Sequence, residues 1–243
     1  MSQPIELHMW PTPNGLKISV ALREMGLPYV VVPVNIGIGD QFKPEFLALS
    51  PNGRMPAILD RETDDGRPLS IFESGAILQH LGRKTGRFYP QDQRGRAEVE
   101  QWLFWQVGGL GPMAGQASHF RAFAPTFLLD QRMAAYGANR YTNEVNRLWG
   151  VVDARLADRD FLAGDYSIAD MACWPWMRNP AGHGVDPDAF PRAKAWSARI
   201  AARPAVVEAV QEGDAMRTSS ALTSSGPDGR QARDILFGQR ARH

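Results

Sequence analysis

"IELHMWPTPNGLKISVALREMGLPYVVVPVNI" (residues 5–36) decides the fold. Ile5, Leu7 and Met9 alternate with Glu6 and His8, the pattern of a half-buried strand. Pro13 pushes Thr12 toward extended geometry, which is what an N-cap residue adopts. Proline is tolerated at the first helical position because its missing N–H would have no partner there. Thr12-Pro13 therefore predicts N-cap and N1 of a helix through Leu16 and Leu22 to Met25, stopped by Gly26. The β-branched run from Tyr29 to Ile36 predicts a second strand, and Pro33 assigns it to an edge. Strand, helix and strand at this length make a βαβ unit with parallel strands.

Outward from that unit, "KPEFLALS" reads as a short helix. "PAILD" and "PLSIF" flank the turn-rich "RETDDGR" and predict an antiparallel hairpin. "ESGAILQHLGRKTG" predicts a helix ending at Gly86. "RFYPQDQRGR" is polar and linker-like. From Ala97 the patterns are helical, and "YSIADMACWPWM" opens a helix with Ser167 as N-cap and Asp170 three residues on. The expected organisation is an α/β domain over 1–87, an all-helical domain over 97–216, and a polar, mobile tail over 217–243 in which "DILF" could dock.

Bulk properties narrow the function. The 243 residues carry a net charge of +1, so no bulk field argues for nucleic acid or a membrane surface. The N-terminus has neither a basic n-region nor an apolar h-region, and no apolar run reaches membrane-helix length, so a cytoplasmic location is expected. One cysteine, Cys173, allows no intramolecular disulfide. The histidines lack metal-ligand spacing, and no metal is expected. "GIGDQF" places Phe42 where a dinucleotide fingerprint needs glycine.

The motifs "NGRMPAILD", "FESGAILQHL" and "GDYSIADMACWPW" resemble those of the glutathione transferases. "PTPNGLKI", "GDQFKPEFLALSPNGRMPAI" and "QWLFWQVGGLGPM" narrow the resemblance to the Nu class, whose members include glutathione-dependent disulfide-bond oxidoreductases. The resemblance implies a thioredoxin-like N-terminal domain, an all-α C-terminal domain, a homodimer, and glutathione as co-substrate. It assigns Thr12 and Asn14 to the glutathione sulfur, in place of the usual Tyr or Ser. Independently, a helix N-terminus with such donors favours a thiolate; the same residues could also merely cap and turn the chain.

The resemblance further implies a cis Met55–Pro56 bond, with the Met55 backbone pairing the cysteinyl unit. It assigns Glu73 and Ser74 to the γ-glutamyl amine and carboxylate, although Ser74 also reads as a plain N-cap. Gln41 and Arg54 are candidates for the glycyl carboxylate. Arg140 is expected to reach a neighbouring subunit's glutathione; otherwise it and Arg54 are surface charges. Trp102, Phe104, Trp105, Gln116, His119 and Phe120 are candidates to border an electrophile, or are core. Cys173 lies in an apolar stretch and is expected to be buried and inert. Disulfide chemistry would then use glutathione sulfur alone, with hydroperoxide reduction as an extension. Conjugation of small electrophiles and non-catalytic glutathione binding are the alternatives.

Overall fold

The computed structural model describes residues 3–216 and 227–238. They divide into two compact units: the residues up to Ile77 together with those from Glu208 on, and Leu78–Val207.

In the first unit, β1 (Ile5–Met9) leads into α1 (Pro13–Met25) and then β2 (Tyr29–Pro33). A 3-10 turn at Asp40–Phe42 and the short α2 (Pro44–Leu47) follow. The hairpin of β3 (Ala57–Asp60) and β4 (Leu69–Phe72) precedes α3 (Ser74–Thr85). The sheet order is β2-β1-β3-β4, with β1 parallel to β2 and antiparallel to β3. β2 is an edge strand, so Pro33 leaves no ladder position without its N–H. This is a thioredoxin-like arrangement, as expected.

Thr12 is extended (φ −105°, ψ 166°) and Pro13 opens α1. Gly26 closes it in the left-handed conformation at φ 72°, and Leu27 N–H reaches back to the Leu22 carbonyl at 2.9 Å. Between these caps α1 is buried nearly all round, from Gly15 to Leu22. On the sheet, Val34, Phe46 and Ala57 form a core cluster against which Leu49 and Met55 pack.

The second unit is helical: α4 (Gln93–Trp105), α5 (Gly111–Ser118), α6 (Gln131–Arg155), α7 (Ile168–Met177), α8 (Pro180–His183) and α9 (Pro191–Ala201). Two wide π turns, Gln106–Leu110 and His119–Phe123, flank α5. α4 starts inside the segment expected to be a linker, because Asp92 accepts from Gly95 N–H at 2.8 Å and caps it. Tyr89, in the same segment, is buried and donates to Glu100.

The Ser167–Asp170 capping box forms as expected. Asp170 is fully buried and accepts from Leu162 N–H at 3.0 Å, Ser167 N–H at 3.1 Å and Trp196 Nε1–H at 2.8 Å. Burial pushes its carboxyl up to about 6, against the opposing pull of those donors.

α10 (Pro204–Met216) carries Glu208 and Glu212, which belong to the first unit. Arg23 bonds Glu208 at 2.8 Å and Glu212 at 3.0 Å, and Tyr29 donates to Glu212 at 2.7 Å. Of the expected tail, residues 217–226 and 239–243 lie outside the described residues. Residues 227–237 form α11 (Pro227–Phe237), in which Ala232 and Arg233 are buried. Ile235, from "DILF", packs beside Gly39. No helix among the described residues is long and apolar enough to cross a membrane.

Candidate active site

The N-terminal end of α1 gathers three segments that are far apart in sequence. The first is the helix start itself. Thr12 Oγ1 accepts from Gly15 N–H at 3.4 Å and donates to Met55 Sδ at 3.6 Å. Its hydroxyl proton therefore already points at a sulfur. Asn14 follows in the first turn and is half-buried. Gly15 is required here by space: a Cβ would lie 2.3 Å from the Trp10 carbonyl oxygen.

The second segment is Arg54–Pro56. The Met55–Pro56 peptide bond is cis. β3 begins at Ala57, so its ladder stops short of Met55. A backbone in this position can accept one more extended residue as an added strand. Ser50 Oγ donates to the Arg54 carbonyl at 2.8 Å and braces the approach. The Arg54 side chain is exposed.

The third segment is Glu73-Ser74. Glu73 has φ 71°, a left-handed conformation in which a non-glycine residue is strained. It turns the chain abruptly from β4 into α3. Its carbonyl accepts from Ile77 N–H at 2.9 Å, while its side chain stays exposed. The first N–H groups of α3 have no partner within the helix. Ser74 is buried at that start, and Lys17 Nζ donates to its Oγ at 3.1 Å.

α1 thus touches the second segment through its cap and the third through Lys17. Lys17 and the Glu73 conformation are features that residue-by-residue reading missed. No local signal marks Lys17 as buried, since Asn14, Lys17 and Glu24 fall on one side of α1 and read as a polar face.

Gln41 belongs to the first unit, and its backbone carbonyl oxygen would lie 3.4 Å from a Cβ at Gly53, beside Arg54; the remaining candidates belong to the second unit. Gln41 is buried; its Nε2 donates to the Ile36 carbonyl at 3.4 Å, and its Oε1 has no partner among the described residues. In this conformation it braces its own loop. Arg140 is exposed on α6. Within the second unit, Trp102 and Trp105 meet edge-on at 5.2 Å, and Phe120 stacks on Tyr141 at 5.6 Å. His119 contacts Phe120, and burial lowers its pKa. Phe104 and Gln116 are exposed. Cys173 is fully buried. Among the described residues, no group of three or more His, Cys, Asp or Glu side chains is arranged to hold a metal ion.

The chain is 48% identical over 208 residues to the disulfide-bond oxidoreductase YfcG of Escherichia coli K12, covering 85% of this chain and 94% of that protein. A glutathione transferase family member from Pseudomonas fluorescens, solved with two glutathione bound, superposes with a TM-score of 0.79. It is 45% identical, over 85% of this chain and 92% of its own. A glutathione transferase from Pseudomonas putida, solved with one glutathione disulfide per subunit, also superposes with a TM-score of 0.79, at 42% identity over 86% of this chain and 91% of its own. Residues 4–83 match the glutathione S-transferase N-terminal domain, and residues 123–204 match the C-terminal domain. With that strand order, that cis bond and these matches, the chain belongs to the glutathione transferase family.

Proposed function

We propose that the protein is a glutathione-dependent disulfide-bond oxidoreductase that uses glutathione sulfur and no protein cysteine. The observation that carries this reading is the Thr12 hydroxyl at the α1 N-terminus, donating toward a sulfur beside the cis Met55–Pro56 bond. Support comes from YfcG, named as such an oxidoreductase, and from relatives that hold two glutathiones or one glutathione disulfide.

In this reading Met55 pairs the cysteinyl backbone, and the sulfur lies over the Thr12-Pro13-Asn14 turn. Donors and the positive helix end favour its thiolate. Glu73 takes the γ-glutamyl amine and Ser74 the carboxylate. Arg54 takes the glycyl carboxylate; Gln41 joins it only if its side chain leaves the loop interior. A homodimer brings Arg140 to the neighbouring subunit's glutathione.

The thiolate attacks one sulfur of a substrate disulfide. A glutathione–substrate S–S bond forms, the original S–S bond breaks, and the first substrate thiolate leaves and is protonated. A second glutathione thiolate attacks the glutathione sulfur of the mixed disulfide. Glutathione disulfide forms and the second substrate thiol departs. Two glutathiones are oxidised, one disulfide is reduced to two thiols, and the two protons lost by glutathione match those gained. The protein supplies orientation and thiolate stabilisation. Buried Cys173 has no part in this sequence.

Steady-state turnover with glutathione against a small disulfide, an organic hydroperoxide and a chloronitrobenzene tests the reading. The highest kcat/KM is expected with the disulfide, with hydroperoxide reduction as a lesser activity. Turnover confined to the chloronitrobenzene would make the protein a conjugating transferase. Glutathione binding without any turnover would make it a binding protein.

A further inference from the structure

Lys17 is 1% exposed, in the middle of α1. A buried ammonium is costly unless it is hydrogen-bonded. Its Nζ lies 3.1 Å from Ser74 Oγ, and Ser74 is itself only 7% exposed. The direction of this bond matters. An ammonium has three donors and no acceptor, whereas a hydroxyl can accept and donate at once. Ser74 therefore accepts from Lys17, and its own proton must donate in another direction. The start of α3 contributes free N–H groups and the positive end of its dipole at the same place.

We propose that Lys17 is a positioning residue for the γ-glutamyl carboxylate of glutathione. It holds Ser74 as an acceptor on the α1 side and turns the Ser74 O–H outward as a donor. This rests on the glutathione reading above and deepens it. Selectivity for a ligand bearing a carboxylate at that end then comes from a residue that need not touch the ligand.

The test compares glutathione with cysteinylglycine, which lacks the γ-glutamyl unit, by calorimetric titration of the full chain. Lys17→Met should weaken glutathione about ten- to a hundredfold, the scale of one charge-assisted contact. It should leave the weaker cysteinylglycine affinity within about twofold, because that ligand never reaches Ser74. In a Ser74→Ala background, Lys17→Met should add little, since the hydroxyl through which it acts is gone. Lys17→Gln keeps a donor of similar reach and should retain most of the glutathione affinity that Lys17→Met loses. Should Lys17→Met not fold, Lys17→Leu, which likewise lacks a donor, carries the test with the same ligand-selective loss. Wild type that binds glutathione while the donorless Lys17 variants bind it equally well, or lose both ligands in proportion, overturns the proposal. Wild type that binds no glutathione overturns the parent reading, and this one with it.

Discussion

Thr12→Val removes one hydroxyl at nearly constant shape, and two separate losses follow. As a cap, Thr12 accepts from Gly15 N–H at 3.4 Å, a long bond, so the stability cost should fall near the low end, about 0.5–1 kcal/mol. As a donor, it directs its proton to Met55 Sδ at 3.6 Å, and a thioether is a weak acceptor. A bound thiolate would accept that proton far better. Losing a hydrogen bond to a charged group costs about 1.5–3 kcal/mol, or roughly one to two pKa units. The donor favours the deprotonated form, so its removal must raise the pKa. A bound thiol held near 7 would move to about 8–9, and the thiolate fraction at neutral pH would fall from about half to between roughly 1% and 10%. Turnover should drop in proportion at neutral pH and recover as pH rises through the new pKa. Thiolate absorbance at about 240 nm, titrated with glutathione bound, reads the midpoint directly. Thr12→Ser keeps both cap and donor and should restore the wild-type value. A folded Thr12→Val protein with an unchanged midpoint would show that the helix start only turns the chain.

Gly15→Ala would set a Cβ 2.3 Å from the Trp10 carbonyl, a backbone atom that cannot step aside cheaply. It should lower stability by about 1–3 kcal/mol or more, read as a lower urea midpoint. Cys173→Ser should keep glutathione-dependent turnover, because the thiol is fully buried; loss of turnover with native circular dichroism would refute glutathione-only chemistry. Asp170 has its folded pKa raised to about 6 from an ordinary 3.8, so the native state binds its proton more tightly than the unfolded chain. Its contribution is greatest below the unfolded value and is lost as pH rises to the folded one, falling by about 1 kcal/mol between pH of roughly 5 and 7. Asp170→Asn should remove that component from urea midpoints measured across the range. Arg140→Ala should raise the glutathione KM if its place is at a neighbour's site, and sedimentation showing a monomer at assay concentration would sink that assignment.

Signals carried by a few adjacent residues were read correctly. Thr12-Pro13 caps α1 and Gly26 ends it, Ser167 and Asp170 box α7, and Pro33 lies in an edge strand. Each is a local rule of dihedral freedom or of a helix end's unpaired groups. The cis Met55–Pro56 bond was reached only through family resemblance, because a local reading favours trans. The start of α4 at Gln93 was legible in Asp92 and Gly95, but the polar composition around them outweighed the cap.

Other features have no local signature. The π turn at Gln106–Leu110 surrounds a buried Gln106 whose amide crowds Gly111, where a Cβ would meet Nε2 at 2.7 Å. α11 formed in a segment read as tail, because Ile235 finds the Gly39 loop to pack on. A loop nearly two hundred residues earlier in the chain gives its sequence no local mark.

By itself, the sequence determined the order of elements from β1 to α3, the capped helix start after β1, the single cysteine and, through its motifs, the family. Only the tertiary structure decided that Thr12 donates to Met55 and that Lys17 is buried against Ser74. The physical reason is range. Caps and turns are set by dihedral preferences and bonds within a few residues. The partner of a hydroxyl or an amine, by contrast, is chosen by whichever distant group the fold brings within hydrogen-bond reach of α1, here Met55 and Ser74.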